Sequence, residues 1–157
     1  MEGKKTGIII LIAMVETNEF RIGNYILCNN MLAIVQGVLE ESVLIDGNAI
    51  VANDASIRPI MLCDTILQKV RQRMLMSNEL RYTYYKKRPT FLIFENEGGG
   101  YYVGMNYEDD IVRITPNPIV YLHQLQNIYF AQYGVEMDIN VKALFDGVET
   151  AIENGEI

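Results

Sequence analysis

The sequence predicts an α+β fold: an N-terminal antiparallel meander of strands, a helix, a second antiparallel sheet and C-terminal helices. Three observations predict it. Short β-branched stretches in the first third of the chain are separated by two-residue turn signals. Apolar residues recur at helical spacing after Asp64. Near the C-terminus, Pro118 and Gly134 carry the start and stop signals of a further helix.

The composition sets limits on the class of protein. The chain has 157 residues, half of them apolar, which suits one domain with a core and argues against intrinsic disorder. Its 13 basic and 20 acidic side chains give a net charge of −7, which argues against a general nucleic-acid coat. Cys28, Cys63 and a single histidine are too few for a disulfide framework or a four-cysteine zinc site. We expect no metal and no cofactor.

The N-terminal stretch Gly7 to Val15 is strongly apolar and follows two lysines. It is shorter than the roughly 20 residues that span a bilayer. No small-x-small cleavage site follows it, so a signal peptide or anchor is the minor interpretation and we expect no membrane contact. Either translation starts at Met14 and residues 1–13 are an upstream extension, or the stretch is an extra first strand. We assign a single domain to residues 14–157.

The N-terminal half carries the strand signals of a meander. Two turns are predicted, at Asn29-Asn30 and at Asp46-Gly47, because Asn and Gly tolerate the positive φ of tight hairpins. Short strands at this spacing are typical of a small SH3-like barrel or a curled sheet. Strands are predicted at residues 20–28, 31–37, 38–45 and 49–51.

A helix is predicted after residues 57–61, which lead into it. Asp64 or Thr65 can cap its first turn, since a short side-chain oxygen accepts a hydrogen bond there. Ser77-Asn78 ends it. Its apolar stripe is Ile66, Leu67, Val70, Met74 and Leu75.

The second sheet is predicted from apolar or alternating stretches. Gly98 to Gly100 form a hairpin loop rather than a phosphate cradle, because a strand and not a helix follows. Glu108, Asp109 and Asp110 form a solvated turn that lacks the ligand spacing of a calcium loop. The strands are predicted at residues 81–87, 90–95, 101–107 and 111–115.

Two helices are predicted at the C-terminus. Asn117 caps the first, Pro118 occupies its first position and Gly134 stops it. The second covers about 141–153, and Gly147 weakens it by roughly 1 kcal/mol relative to alanine. We expect the first helix to bury the face that contains Leu122, Leu125, Ile128, Tyr129 and Gln132, and the second to bury Val141, Leu144, Phe145, Val148 and Ile152.

Residues 81–88, RYTYYKKR, are the strongest ligand-binding candidate. Residues 58–88 hold 8 basic and 2 acidic side chains, whereas the flanking regions are acidic. Rings that stack on bases, interleaved with cations that meet phosphates, suit single-stranded nucleic acid. An edge strand protected by its charges is the alternative interpretation. The candidate ligand-binding residues are Arg81, Tyr82, Tyr85, Lys86, Lys87 and Arg88.

His123, the only histidine, lies in a polar run with Gln124, Gln126 and Asn127. A general base needs a nearby nucleophile or orienting acid, and the sequence places none beside it. We therefore expect a helix surface with one side chain bonded to the sheet. No residue is assigned a catalytic role, and we expect no enzymatic activity.

Three segments resemble an uncharacterised family of phage and prophage proteins from gut anaerobes. Residues 19–26, EFRIGNYI, resemble its opening "ELRIGNYV". Residues 120–134, VYLHQLQNIYFAQYG, resemble its closing helix "YVHQLQNLYFALTG", and residues 59–70 are similar to its "PIPLTEEILLK". The resemblance implies a phage or prophage origin and a bacterial cytoplasm, supports a start at Met14, and transfers no activity. Cys63 and Asp64 depart from the family's usual acidic or threonine caps.

The function expected from these observations is a small, non-enzymatic protein-binding module with a host or phage protein as its partner. The alternative is a nucleic-acid or nucleotide-binding protein, including a nucleotide sponge, that uses residues 81–88. Small mixed domains host many functions, so the fold alone does not choose between these alternatives.

Overall fold

The computed structural model describes residues 19–51, 56–70, 73–74, 91–107 and 110–157. These residues divide into two compact units. The first consists of residues up to Ile60 together with Leu122–Asn127, and the second of Met61–Tyr121 together with Ile128–Ile157. The predicted start of the domain at Met14, and residues 1–13, lie outside the described residues.

The predicted α+β class is confirmed. The strands are β1 (Tyr25–Cys28), β2 (Met31–Ile34), β3 (Gly37–Val38), β4 (Ser42–Ile45), β5 (Asn48–Val51), β6 (Ile57–Pro59), β7 (Arg73–Met74), β8 (Leu92–Glu95), β9 (Tyr101–Tyr107) and β10 (Asp110–Arg113). The helices are α1 (Asp64–Lys69), α2 (Leu122–Tyr133) and α3 (Val141–Glu153). Helix α2 contributes its first six residues to the first unit and the remainder to the second.

The first unit is built from two antiparallel three-stranded sheets, in the orders β2-β1-β6 and β3-β4-β5. Both predicted turns are present: Asn29 and Asn30 have φ of 51° and 62°, and Asp46 and Gly47 have φ of 50° and 77°. Within the described strands neither sheet closes into a barrel, so the SH3-like alternative is wrong. The core of this unit consists of Phe20, Ile26, Val35, Val43, Ile45 and Ile57.

The first strand is shorter than predicted, because residues 21–24 form a turn instead of extended chain. The Asn24 side chain accepts a hydrogen bond from the Arg21 N–H at 2.7 Å, and the Asn24 N–H donates to the Arg21 carbonyl at 3.0 Å. The side chain thus competes with the strand ladder, as short polar side chains do. Residues 57–59 are also a strand, β6, where a lead into the helix was predicted.

The second unit contains a four-stranded sheet in the order β10-β9-β8-β7. The pairs β10–β9 and β9–β8 are antiparallel, whereas β7 runs parallel to β8. Helix α1 ends at Lys69, so the predicted continuation of the helix through Met74 is wrong. Met74 pairs with Ile93 as a strand, and this long-range pairing overrides the local helical pattern.

Helix boundaries differ from the prediction where tertiary pairing competes with local signals. Cys63 is the N-cap of α1 and makes no side-chain capping bond, so neither Asp64 nor Thr65 is the cap. Helix α2 begins at Leu122 and not at Pro118, because Ile119 pairs with Tyr101 and Tyr121 pairs with Met61 in isolated bridges. Gly134 ends α2 as predicted, with φ of 69°.

Helix α3 matches its prediction, and Asn140 caps it by accepting a hydrogen bond from the Ala143 N–H at 2.9 Å. Gly147 has a packing role in this helix: a Cβ there would lie 2.6 Å from Cγ of Lys69, so its absence lets α1 approach. Val141 and Phe145, which were predicted to be buried, are exposed. Among the described residues, no helix is both long and apolar enough to cross a membrane.

Candidate functional site

One face of the four-stranded sheet carries aromatic side chains and an arginine. Paired residues of an antiparallel ladder share a face, and so do alternate residues along each strand. Tyr102 is paired with Phe94, and Gly104 is paired both with Leu92 and with Arg113. We call this set the aromatic–arginine face: Leu92, Phe94, Tyr102, Gly104, Ile111 and Arg113.

The contacts within the aromatic–arginine face confirm that its members touch. The guanidinium carbon of Arg113 lies 4.4 Å from the centre of the Tyr102 ring, in a cation–π arrangement. A Cβ at Gly104 would lie 2.9 Å from Cε2 of Phe94 and 3.1 Å from the Val112 carbonyl oxygen. Glycine is therefore required for the Phe94 ring to lie across β9.

Part of this face is accessible to a ligand. Leu92 and Gly104 are buried, whereas Arg113 is exposed and the other three members are half-buried, namely Phe94, Tyr102 and Ile111. Tyrosine and arginine offer apolar area together with hydrogen-bond donors, a combination that is enriched at the energetic centres of protein interfaces.

The opposite face of the same sheet is core where β8 and β9 pair. Ile93 and Val103 are completely buried. The Phe91 ring packs against the rings of Tyr129 and Tyr133, with centroids 5.3 Å and 5.5 Å apart. Burial in this cluster raises the pKa of the Tyr133 hydroxyl, with a smaller contribution from Tyr129. This part of the opposite face therefore supports the fold.

The two motifs carried by the family resemblance meet in the first unit. The side chains of Gln126 and Asn127 bond to the segment Glu19–Tyr25, and we call this network the amide clasp. The Gln126 amide accepts from the Tyr25 N–H at 2.9 Å and donates to the Gly23 carbonyl at 3.1 Å. It thereby satisfies two backbone groups of the opening motif.

The Asn127 side chain completes the amide clasp. Its nitrogen donates to the Glu19 carbonyl at 2.9 Å. Its oxygen accepts from Nδ2 of Asn24 at 2.9 Å and from Nε of Arg21 at 3.3 Å. The motifs that look most specific in the sequence therefore hold the N-terminal segment in place, and their residues are engaged with the chain itself.

His123 is a buried core residue, so the predicted position on a helix surface is wrong. Its side chain is 0 % exposed, its ring centroid lies 4.9 Å from that of Phe20, and Nε2 lies 3.5 Å from Oε2 of Glu19. Desolvation by burial lowers the pKa of His123 to about 4. The imidazole is neutral at physiological pH and has no exposed surface for a substrate.

Two further described side chains, Cys63 and Tyr101, have shifted pKa values. Burial raises the pKa of the Cys63 thiol above its usual value, so the thiol stays protonated and is a weak nucleophile. Burial, with smaller contributions from carboxylates such as Asp64 and Glu95, raises the pKa of Tyr101 to about 12. Cys28 and Cys63 are both free thiols. Across the described part of the chain, no group of three or more His, Cys, Asp or Glu side chains is arranged to hold a metal ion.

The predicted ligand-binding residues Arg81, Tyr82, Tyr85, Lys86, Lys87 and Arg88 lie outside the described residues, so that site stays a prediction. They fall between β7 and β8, the two parallel strands of the sheet that carries the aromatic–arginine face. Glu108 and Asp109 of the predicted acidic turn also lie outside the described residues. Sequence reasoning missed the aromatic–arginine face, because only the strand register brings Phe94, Tyr102 and Arg113 together.

A comparison of the chain with protein-family models, with curated proteins and with solved structures finds no match.

Proposed function

We propose that this chain is a non-enzymatic protein-binding module whose partner docks on the aromatic–arginine face. One observation carries the proposal: Tyr102 and Arg113 are stacked and accessible on a sheet whose other face is buried at Ile93 and Val103. A half-exposed tyrosine beside an arginine is the kind of anchor that supplies most of the binding energy at interfaces. A phage or prophage origin and a bacterial cytoplasm belong to this proposal and rest on the family resemblance.

Two features favour binding over catalysis. The one histidine is buried and neutral, and the Cys63 thiol is held in its protonated form. His123 and Cys63 are therefore poorly suited to act as base and nucleophile.

A second candidate function is binding of single-stranded nucleic acid or nucleotides. The observation that favours it is the position of residues 81–88 between two strands of the sheet that carries Phe94, Tyr102 and Arg113. Aromatic rings and cations on a sheet are a common platform for unpaired bases. The net charge of −7 opposes this function, because phosphates are repelled by the excess of carboxylates.

Affinity capture from infected or induced host cells, with and without nuclease, tests the proposal. The bait is the full chain in four forms: wild type, Tyr102→Ala, Arg113→Ala and Phe145→Ala. Phe145 is an exposed aromatic on α3 and serves as the matched control. We expect one protein to be recovered with wild type and Phe145→Ala, to be lost with the other two variants, and to resist nuclease. Equal recovery with all four baits contradicts the proposed site.

Nuclease-sensitive recovery supports the second function instead, and salt dependence then identifies the contacts. Each phosphate contact contributes a slope of about −0.7 in log K against log salt for single strands, so four contacts give roughly −3. Replacing Lys86 and Lys87 by alanine should flatten the slope by about 1.4. No binding of short single-stranded DNA or RNA at low salt, where such attraction is least screened, contradicts this function.

A further inference from the structure

We propose that the partner binds as an extended peptide that adds a strand to the outer edge of β10 and places an acidic side chain beside Arg113. This inference rests on the proposed function, since it specifies how a protein partner would reach the aromatic–arginine face. It is carried by three observations: the position of β10 in the sheet, the direction of its backbone groups, and the chemistry of its side chains.

Strand β10 lies at the end of the sheet order β10-β9-β8-β7. It pairs with β9 on one side, and no other described residue pairs with it as a strand on the other. An edge of this kind presents a row of backbone donors and acceptors to which an extended chain can be added.

The register determines which backbone groups point outward. The Ile114 N–H donates to the Val103 carbonyl at 2.9 Å, directly after the pair Arg113–Gly104, so Ile114 faces β9. Hydrogen-bonded and non-hydrogen-bonded pairs alternate along an antiparallel ladder, which fixes the direction of the backbone groups back to Asp110. Asp110 and Val112 therefore face β9, and the N–H and C=O groups of Ile111 and Arg113 point away from it.

The side chains along this edge define what an added strand would carry. Ile111 and Arg113 lie on the aromatic–arginine face, and Val112, which is 43 % exposed, lies on the other. Directly opposed side chains in a ladder are about 5 Å apart. An apolar residue opposite Ile111 and an acidic residue opposite Arg113 would be complementary, and these two residues would be separated by one position because alternate residues share a face.

Arg113 is well placed to recognise a carboxylate. Its guanidinium carbon lies over the Tyr102 ring, and the residue is exposed. Stacking on a ring leaves the donors of an arginine free to bond in its plane. Among the described residues no carboxylate forms an ion pair with it. Charge-assisted, bidentate bonds to a carboxylate are among the stronger hydrogen bonds available to a protein surface.

Charged residues at a sheet edge also prevent edge-to-edge aggregation, and this is the competing explanation of Asp110 and Arg113. The two explanations predict different effects of replacing Arg113 by glutamate. If the charge only prevents aggregation, glutamate serves as well as arginine. If Arg113 recognises a carboxylate, the substitution reverses the charge that is preferred in the peptide.

Selection of peptides on the full chain tests the inference. The probe is a display library of ten-residue peptides, selected in parallel on wild type, Tyr102→Ala, Arg113→Glu, Ile111→Pro and Phe145→Ala. We expect wild type and Phe145→Ala to enrich peptides with an acidic and an apolar residue two positions apart. Arg113→Glu should enrich basic residues instead and should bind the wild-type-selected peptide about tenfold or more weakly. Ile111→Pro should enrich none, because proline removes an outward N–H that the β9–β10 ladder does not use.

Two further measurements use the unmodified protein, so that the inference does not depend on the folding of a variant. Adding the selected peptide should slow amide hydrogen exchange at Ile111 and Arg113 and leave Asp110 and Val112 unchanged. N-methylation of the peptide should abolish binding when it falls on one set of alternate residues and should be tolerated on the other set.

The outcomes separate the two proposals. Peptides that require Tyr102 but tolerate Ile111→Pro, with no change in exchange at Ile111, overturn strand addition and leave the aromatic–arginine face as the site. Enriched peptides with no acidic preference overturn the role given to Arg113. If neither peptides nor the captured partner depend on Tyr102, both the inference and the proposed function are overturned.

Discussion

The amide clasp of the first unit and the aromatic–arginine face of the second unit use their polar side chains in opposite ways. In the clasp, the amides of Gln126 and Asn127 bond to the backbone of the chain's own N-terminal segment. On the face, Arg113 contacts a neighbouring ring and keeps its exposed edge. Polar groups whose bonds close within the chain stabilise it, whereas groups that stay accessible are the ones a partner can use.

The comparison also explains why a specific sequence motif is a poor guide to the binding site here. The polar run around His123 looks functional by composition, yet it is buried or bonded internally. The pair formed by Tyr102 and Arg113 has no distinctive sequence signature, because the two residues are brought together by strand register alone.

The largest expected effect on stability is that of a core residue on the apolar side of helix α2. Leu125 is completely buried, as predicted, while Ile128 is half-buried. Leu125→Ala should reduce the free energy of unfolding by about 2–5 kcal/mol, because it removes buried methyl groups and leaves a cavity. Urea unfolding followed by circular dichroism measures this. A loss below about 0.5 kcal/mol would mean that this part of α2 is held far more loosely than its burial indicates.

The next effect concerns the clasp itself. Gln126→Ala leaves the Tyr25 N–H and the Gly23 carbonyl without their side-chain partner, and should cost roughly 2–3 kcal/mol. Gln132→Ala, an exposed glutamine on the same helix, is the matched control and should change stability by less than about 0.5 kcal/mol. Equal effects of the two substitutions would show that the clasp is not a stabilising network.

His123 makes the stability of the first unit depend on pH. Its folded pKa of about 4 lies below the ordinary value of 6.5, so the unfolded chain binds the proton first as the pH falls. This contribution is therefore complete above pH 7 and is lost between pH 6.5 and 4. We expect a loss of roughly 2 kcal/mol between pH 7.5 and pH 5. Urea unfolding at both pH values measures this difference in the free energy of unfolding. The difference should be smaller by that amount in His123→Asn. An equal difference in the two proteins would place the imidazole in contact with water.

The smallest effect on stability is expected on the aromatic–arginine face. Arg113→Ala removes an exposed cation–π contact, which should cost about 0.5–1 kcal/mol. Thermal unfolding measures this, and peptide binding measured in parallel should fall much further. A loss of stability as large as that of Gln126→Ala would make Arg113 a structural residue and would remove the contrast between the two regions.

Features encoded by local backbone chemistry were predictable from the sequence. The turns at Asn29-Asn30 and Asp46-Gly47 require positive φ, which these residue types tolerate, and both are present. The stop at Gly134 and the extent of α3 follow from the same kind of local signal.

Features decided by distant residues were not predictable. Met74 fits a helical stripe and a strand equally well, and its pairing with Ile93 makes it a strand. Asn117 and Pro118 form a good helix start, yet the bridge between Ile119 and Tyr101 keeps the chain extended there. The burial of His123 depends on Phe20, which lies about a hundred residues earlier in the chain. In each case a long-range contact outweighs a local preference.

The amide clasp also sets an order of events during synthesis. Asn24 and Asn127 are 103 residues apart, so the ribosome makes the opening motif long before the helix turn that bonds it. At about 5–20 residues per second this delay is roughly 5–20 s. During that interval the strands of the first unit emerge without their clasp, and closing a loop of this length costs roughly 4 kcal/mol of chain entropy. A nascent chain that stops before Leu122 contains β1 to β6, the described strands of this unit, but lacks the residues that hold its N-terminal segment.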